Sequence, residues 1–398
     1  MNVRDRATRP LRIAQVAPLY VRIPPRRYGG TERVIHALTE ELVRRGHEVT
    51  LFAAGTSDSS ARLVAGSPVP LWQDPGLDGR NYELAQVNDV LRRSDQFDII
   101  HSHVDHFVPL AGSRAPASLI STRHGRLDDP GQRAELAAHR SPLVSISNAQ
   151  RVAVADLDLD WVATVYNGLR LKETFRLGER DRRYLVFLGR VAAEKDPATA
   201  IQVAIRAGIP IKIAARVDPA DEAYYREQIL PLLGHPLVEW LGEVDDAAKS
   251  RLLAGAVALL MPIDWPEPFG LTYIEALAAG TPVIARPRGS LPEIVKHGEH
   301  GFLCETEDEL VEACRLVADL DRVACRAWAL EHFSAERMAI NYERAYHQIL
   351  RRDGASAVPP ARMVAPSLRS SAWPDTESVA ATVLTLGPLL PTEKAGPD

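Results

Sequence analysis

Short apolar runs alternate with longer stretches of helical period along most of the chain. LRIAQVAP (11–18), TERVIHALTEELVRRG (31–46) and HEVTLFAAG (47–55) read as a strand, a crossover helix and a parallel strand. The series continues with FDIIHSH (97–103), ASLISTRHG (117–125), PLVSIS (142–147) and VATVYNG (162–168), and helical patterns fall between most of them. A second, similar series starts at YLVFLGR (184–190). It runs through DPATAIQVAIRAG (196–208), IPIKIAAR (209–216), a helix near 220–233, VEWLGEV (238–244) and a helix near 245–254. AVALLMP (256–262), LTYIEALAAG (271–280), TPVIA (281–285) and GFLCE (301–305) complete it. The pattern predicts an α/β chain of two doubly wound, Rossmann-like domains. Parallel sheets of this kind bind ligands beyond the carboxyl ends of their strands, so two facing domains share one central cleft.

The periodicity also suggests boundaries. A first domain over 1–176 and a second over 177–333 are expected, joined by LRLKETFRLGERDRR (169–183), a polar stretch without a core period. A helix over 334–353 carries Met338, Ile340, Tyr342, Ala345, Tyr346 and Ile349 at helical spacing, and 354–398, rich in Pro, Ala and Ser, reads as a disordered tail.

Two domains suit 398 residues, of which 46% are hydrophobic and 25% charged. A net charge of −5 with both signs interspersed argues against a nucleic-acid partner, which calls for a basic excess on one face. Cys304, Cys314 and Cys325 are odd in number and form no CxxC pair, so they read as reduced core thiols rather than a disulfide framework or zinc site. The N-terminus lacks the apolar core of a signal peptide, and no apolar run approaches the ~18 residues of a membrane span. The expected location is cytoplasmic, with peripheral membrane contact left open.

The chemistry concentrates in PIDWPEPFGLTYIEALAAGTPVIA (262–285), where Glu267 precedes and Glu275 lies within a helix closed by Gly280. A helix beginning near Phe269 or Gly270 offers unpaired amides at the positive end of its dipole. Glu275 then lies roughly 7–8 Å further along the axis, so the two carboxylates can hold different parts of one extended ligand. Carboxylates suit sugar hydroxyl pairs, and cations suit phosphates. Arg190 and Lys195, in GRVAAEKDP, supply cations at one strand-to-helix junction, and Gly29 and Gly30 supply a close backbone approach at another. HSHVDH (101–106) is not read as a metal site without a carboxylate or thiol partner of known spacing, and DLDLD (156–160) reads as a solvated turn, so no metal is expected. The absence of GxGxxG after the first strand lowers a nicotinamide reading. In VRIPPRRYGG, Arg22, Arg26 and Arg27 form a basic loop that either steers an anionic ligand or is merely solvated.

These pieces together resemble the family 4 glycosyltransferases, retaining enzymes of the GT-B fold that use nucleotide sugars. The resemblance rests on GG (29–30), FDIIHSH, STRHG, VSISNAQ, VYNG, LGRVAAEKDP, EPFGLTYIEALAAGTPVIARPRGSLPEIV and GFLCE, spread over roughly 11–350. It implies that Arg190 and Lys195 bind the donor diphosphate, with Gly29 and Gly30 close to the phosphates. Glu275 would bind the nucleotide ribose, and Glu267 with the amides of Phe269, Gly270 and Leu271 the donor sugar. His124 matches the active-site histidine, and the helix over 334–353 would cross back onto the first domain. The expected co-substrate is a nucleoside diphosphate sugar, with no cofactor and no metal. The acceptor is unnamed, an anionic or lipid-linked one being the candidate. Arg170 departs from the family, which often has an aspartate there. A sugar-nucleotide epimerase and a non-catalytic sugar-nucleotide-binding protein remain as alternatives.

Overall fold

The structure is a computed structural model, and it describes residues 9–26, 29–105, 107, 111, 118–138, 141–178 and 182–356. Arg27 of the basic loop, His106, and residues 357–398 of the predicted tail lie outside the described residues.

Two parallel sheets carry the chain. The first holds β1 (Arg12–Val16), β2 (Glu48–Ala54), β3 (Arg62–Ser67), β4 (Ile99–Ser102), β5 (Leu119–Thr122), β6 (Leu143–Ser145) and β7 (Trp161–Thr164), in the order β3-β2-β1-β4-β5-β6-β7. The second holds β8 (Tyr184–Val191), β9 (Ile211–Val217), β10 (Val238–Trp240), β11 (Ala256–Met261), β12 (Val283–Ala285) and β13 (Gly301–Leu303), in the order β10-β9-β8-β11-β12-β13. The central strands are buried nearly throughout, as expected of apolar runs covered by helices on both faces. Each order reverses once, between β1 and β4 and between β8 and β11. Such reversals open a crevice at the carboxyl ends of the strands.

Helices that matter for the crevice begin there. α1 (Gly30–Arg44) follows β1, α2 (Pro197–Ala207) follows β8, α3 (Asp246–Ala254) follows β10, and α4 (Leu271–Ala278) follows β11. The last helix, α5 (Ala335–Ser356), packs on α1 and runs beyond the predicted start of the tail. Its Glu343 accepts two hydrogen bonds from Arg45, at 2.6 and 2.8 Å, and its Arg352 pairs with Asp160 of the DLDLD turn at 2.9 Å. Asp156 of that turn is paired as well, with Arg133 at 2.6 Å.

Two local readings need correction, and β3 is absent from the strands that the sequence pattern predicts. β3 shows no clean alternation because Gly66 interrupts it, and as an edge strand it has little to bury. The helix expected near 220–233 is instead a chain of short turns, including a wide π turn at Tyr225–Ile229. Pro231 cannot donate to the carbonyl four residues back, which breaks the α-helical ladder there. The stretch after β7 passes between the sheets, but it does carry a core period: Leu171 and Phe175 are fully buried at i, i+4 spacing, with Leu169 beside them. Leu169 N–H donates to Phe333 O at 3.1 Å and Ala335 N–H to Leu169 O at 2.9 Å, so both passages of the chain between the sheets lie side by side. The three cysteines are buried and unpaired, with burial pushing their thiols up to about 11 or 12.

Candidate active site

The two crevices face each other. Gly29 caps α1 at φ 145°, where a Cβ would meet Pro25 Cβ at 2.8 Å and Glu32 Oε2 at 2.9 Å. One on Gly30 would come within 3.5 Å of Leu271 Cδ1 across the cleft, so the first turns of α1 and α4 are neighbours. Gly270 caps α4 at φ 91°, a conformation glycine tolerates and an L side chain rarely adopts. Two positive helix ends meet at one place.

Two chambers open from that meeting point and share Gly30, Leu271 and Thr272. The first, open to solvent, spans about 800 Å³ including its mouth and is lined by Arg190, Lys249 and Glu275, with Ala214, Ala215 and Val244 as an apolar wall. Lys249 Nζ donates to Glu275 at 2.5 Å and lies 3.3 Å from Asp246, which Arg33 grips at 2.6 Å. Arg190 is held by Asp221 at 2.6 Å and Glu194 at 2.7 Å. Glu275 is 5% exposed, a buried carboxylate paired with the Lys249 ammonium.

The second chamber, also open to solvent, spans about 950 Å³ including its mouth and is lined by His124, Asn167, Lys195, Trp265, Glu267 and Phe269. Lys195 Nζ is paired with Glu267 and stands 4.6 Å over the Trp265 ring. The loop after β12 braces this corner: Ser290 N–H donates to Glu267 O at 3.0 Å, and Ser290 Oγ to Phe269 O at 2.6 Å. Gly289 fits there only without a side chain, since a Cβ would overlap the Glu267 backbone. Asn167 Oδ1, Trp265 Nε1 and the Tyr273 hydroxyl, all on residues lining the chamber, are buried without hydrogen-bond partners among the described residues. Such groups suit a polyhydroxylated guest. His124 Nε2 lies 2.9 Å from His103 Nδ1, and burial pushes the His124 imidazole down to about 4, so it is neutral near pH 7.

Glu293, from the second half, clasps the first. It accepts from Asn148 N at 2.8 Å, Ala149 N at 2.7 Å, Asn148 Nδ2 at 2.9 Å and the Tyr166 hydroxyl at 2.9 Å. Ser147 Oγ donates to Pro268 O at 2.7 Å beside it.

The profile described as Glycosyltransferase Family 4 matches residues 28–173, and that described as Glycosyl transferases group 1 matches 170–327. The chain belongs to the family 4 glycosyltransferases. The glycosyltransferase is 28% identical over 337 residues to an uncharacterized glycosyltransferase of Methanocaldococcus jannaschii, covering 73% of this chain and 84% of that one. It is 25% identical over 387 residues to the phosphatidyl-myo-inositol mannosyltransferase of Mycobacterium leprae, covering 85% and 97%. Among solved structures it matches AviGT4, a glycosyltransferase of avilamycin A biosynthesis, with a TM-score of 0.65 and 24% identity over 86% of this chain and 98% of that one. HepE of Anabaena, solved with UDP-glucose, matches with a TM-score of 0.64 and 17% identity over 87% and 100%. The fold is GT-B, two Rossmann-like halves facing one cleft.

Within this glycosyltransferase the structure gathers Gly29, Gly30, Arg190, Leu271 and Glu275 at the first chamber, and His124, Lys195, Glu267, Phe269 and Gly270 at the second. Arg190 and Lys195 therefore line different chambers. Sequence reasoning missed Arg33, Lys249, Trp265 and Asn167. Asn167 lies in the quoted VYNG, and a lone buried amide was its only signal. Lys249 meets Glu275 across 26 positions, which no local pattern announces. Arg22 and Arg26, with Tyr20 and the exposed Trp72, line a third cavity joined to the first chamber through Arg216 and Glu243. They stand away from the chamber that holds His124. Among the described residues no group of three or more His, Cys, Asp or Glu side chains is placed to hold a metal, and no helix is long and apolar enough to cross a membrane.

Proposed function

We propose that the protein transfers a sugar from a nucleoside diphosphate sugar to an acceptor hydroxyl with retention at the anomeric carbon. The observation that carries this is the pair of chambers meeting at two facing helix N-termini, one chamber holding Glu275 and the other Glu267. The diphosphate lies at the junction, where the α1 and α4 amides, Arg190 from one side and Lys195 from the other receive its growing charge. The ribose hydroxyls go to Glu275 and the base to the apolar wall. The transferred sugar lies in the second chamber, under His124 and against Glu267. Departure of the diphosphate precedes or accompanies attack from the same face, and the leaving phosphate takes the acceptor proton. With phosphate charge met by side chains and amides, the reaction proceeds without a divalent ion.

The acceptor is anionic. Arg22 and Arg26 beside exposed Trp72 and Tyr20 give a basic, aromatic mouth, and a relative named for phosphatidyl-myo-inositol fits a phosphate-bearing acceptor.

Calorimetry with nucleoside diphosphates, followed by transfer assays on an acceptor panel, tests the reading. Glu275→Ala should weaken binding of the sugar-free nucleotide, whereas Glu267→Ala should leave it unchanged and impair transfer. The reversed pattern would mean that the ligand runs the other way. Product of inverted anomeric configuration, or activity lost to a chelator and restored by magnesium, would overturn the corresponding parts.

A further inference from the structure

Behind His124 lies a buried row of side chains drawn from β1, the ends of β4 and β5, and α5. Gln15 is in register with His101 on the neighbouring strand, and His103 follows two residues on. Thr122 and His124 are likewise two apart, so each pair faces one way. His124 Nε2 meets His103 Nδ1 at 2.9 Å, and His103 Nε2 meets Gln15 Oε1 at 2.8 Å. Gln15 Nε2 donates to the Tyr346 hydroxyl at 3.2 Å. That hydroxyl lies 2.8 Å from His101 Nδ1, and His101 Nε2 lies 2.8 Å from Thr122 Oγ1, which meets the Tyr342 hydroxyl at 3.0 Å. Gln15, His101, His103, Thr122, Tyr342 and Tyr346 are all buried, and of the row only His124 lines the second chamber.

Burial keeps the three rings neutral, lowering His101 and His103 well below the ordinary histidine value. A neutral imidazole has one N–H and one lone pair, so each ring must donate at one nitrogen and accept at the other. One amide then fixes the sense of the row. With Gln15 Nε2 turned to Tyr346, Oε1 offers His103 only a lone pair, and His103 carries its proton on Nε2. His103 Nδ1 becomes an acceptor. His124 must therefore supply the proton from its own Nε2. Turning the amide over would reverse both rings and put the His124 proton on Nδ1. Tyr346 closes the account at the other end, because while accepting from Gln15 it passes its own proton to His101, which donates onward to Thr122.

We propose that the buried row sets the hydrogen-bonding sense of the second chamber: Gln15, with its Nε2 on Tyr346 of the C-terminal helix, acts through His103 to hold His124 as the Nε2–H tautomer, leaving Nδ1 to accept from a hydroxyl of the bound sugar. Tyr346 is a positioning residue, remote from the reacting atoms. The assignment of a sugar to that chamber rests on the function proposed above; the tautomer does not.

Long-range proton–nitrogen correlation spectra of the full chain, labelled with ¹⁵N-histidine and with His124 assigned through His124→Asn, read the protonated nitrogen directly. The free protein near pH 7 should show His124 protonated at Nε2 alone. Tyr346→Phe keeps the ring packing and removes the hydroxyl, and losing one hydrogen bond moves such an equilibrium roughly fivefold to tenfold. A second His124 form, protonated at Nδ1, should then appear, with turnover lowered and affinity for the sugar-free nucleotide unchanged. Gln15→Met should give the same second form, so the test survives poor folding of either variant. Wild-type His124 protonated at Nδ1, or a single Nε2–H form in both variants, would overturn the inference while leaving the transfer assays to judge the function on their own.

Discussion

Lys195 and Glu267 neutralise each other in the second chamber, and a guest that separates them must replace both contacts. A phosphate oxygen can do so for the ammonium and a sugar hydroxyl for the carboxylate. On the proposed reaction, Lys195→Ala and Arg190→Ala should each lower turnover by about 10²–10³ while the fold persists, since each would remove a cation from the diphosphate charge that reaction develops. Near-normal rates at saturating donor would remove them from the mechanism. The buried histidines make a separate prediction about pH. His124 is held at about 4, below the value near 6.5 of an unfolded chain, and His101 and His103 shift in the same direction. Between those values the unfolded state binds protons that the folded state refuses, so stability is full above about pH 6.5 and falls as pH drops toward about 4. Thermal unfolding should show a lower Tm at about pH 5 than at about pH 7, with a shallower slope in His124→Asn. An identical slope would place the pH sensitivity elsewhere.

Elements around the cleft work by bracing. The loop after β12 touches no chamber through Gly289, yet a methyl there would press on the Glu267 backbone at a residue whose φ is 56°. Gly289→Ala should therefore impair transfer more than nucleotide binding, which a comparison of kcat with nucleoside diphosphate Kd would show. Leu171→Ala, in the packed stretch between the sheets, should cost about 2–5 kcal/mol in denaturant unfolding, as full burial of a leucine implies. This stretch also shows where the sequence stops being readable. The central strands are continuous apolar runs, legible because burial on both faces demands it. Leu169, Leu171 and Phe175 are scattered among charges, and their burial depends on partners distant in sequence: Leu169 on the Phe333–Ala335 passage, and the turn that starts at Leu171 on α3, α4 and the helix Arg322–His332. The site divides in the same manner. Glu267, Gly270 and Glu275 are local to one turn and helix and stand out together, whereas Lys249 and Asn167 join them only through tertiary approach.

At the scale of the whole molecule, Glu293 is the contact that most clearly ties one half to the other. Its carboxylate accepts four hydrogen bonds from Asn148, Ala149 and Tyr166, and burial, with the carboxylate beside it, pushes the Tyr166 hydroxyl up to about 12. Glu293→Gln sets an amide donor against those donors and removes the charge. A charge-assisted bond is worth about 1.5–3 kcal/mol, so the closed arrangement should lose roughly tenfold or more in population. Small-angle scattering should show a larger radius of gyration in the variant, and an unchanged profile would mean that closure rests on other contacts. The neighbouring crossings of the chain at Leu169 and Ala335 bear on how such an opening proceeds. Two adjacent strands stitched by backbone bonds permit rotation about their own line far more readily than sliding, so the halves should part like a book bound along one spine. The margins then separate furthest and the gutter least. On the proposed function, spent nucleotide would leave by the fore-edge, remote from Leu169, and the rate of turning that page, rather than bond cleavage, would set the pace of turnover wherever release is the slow step.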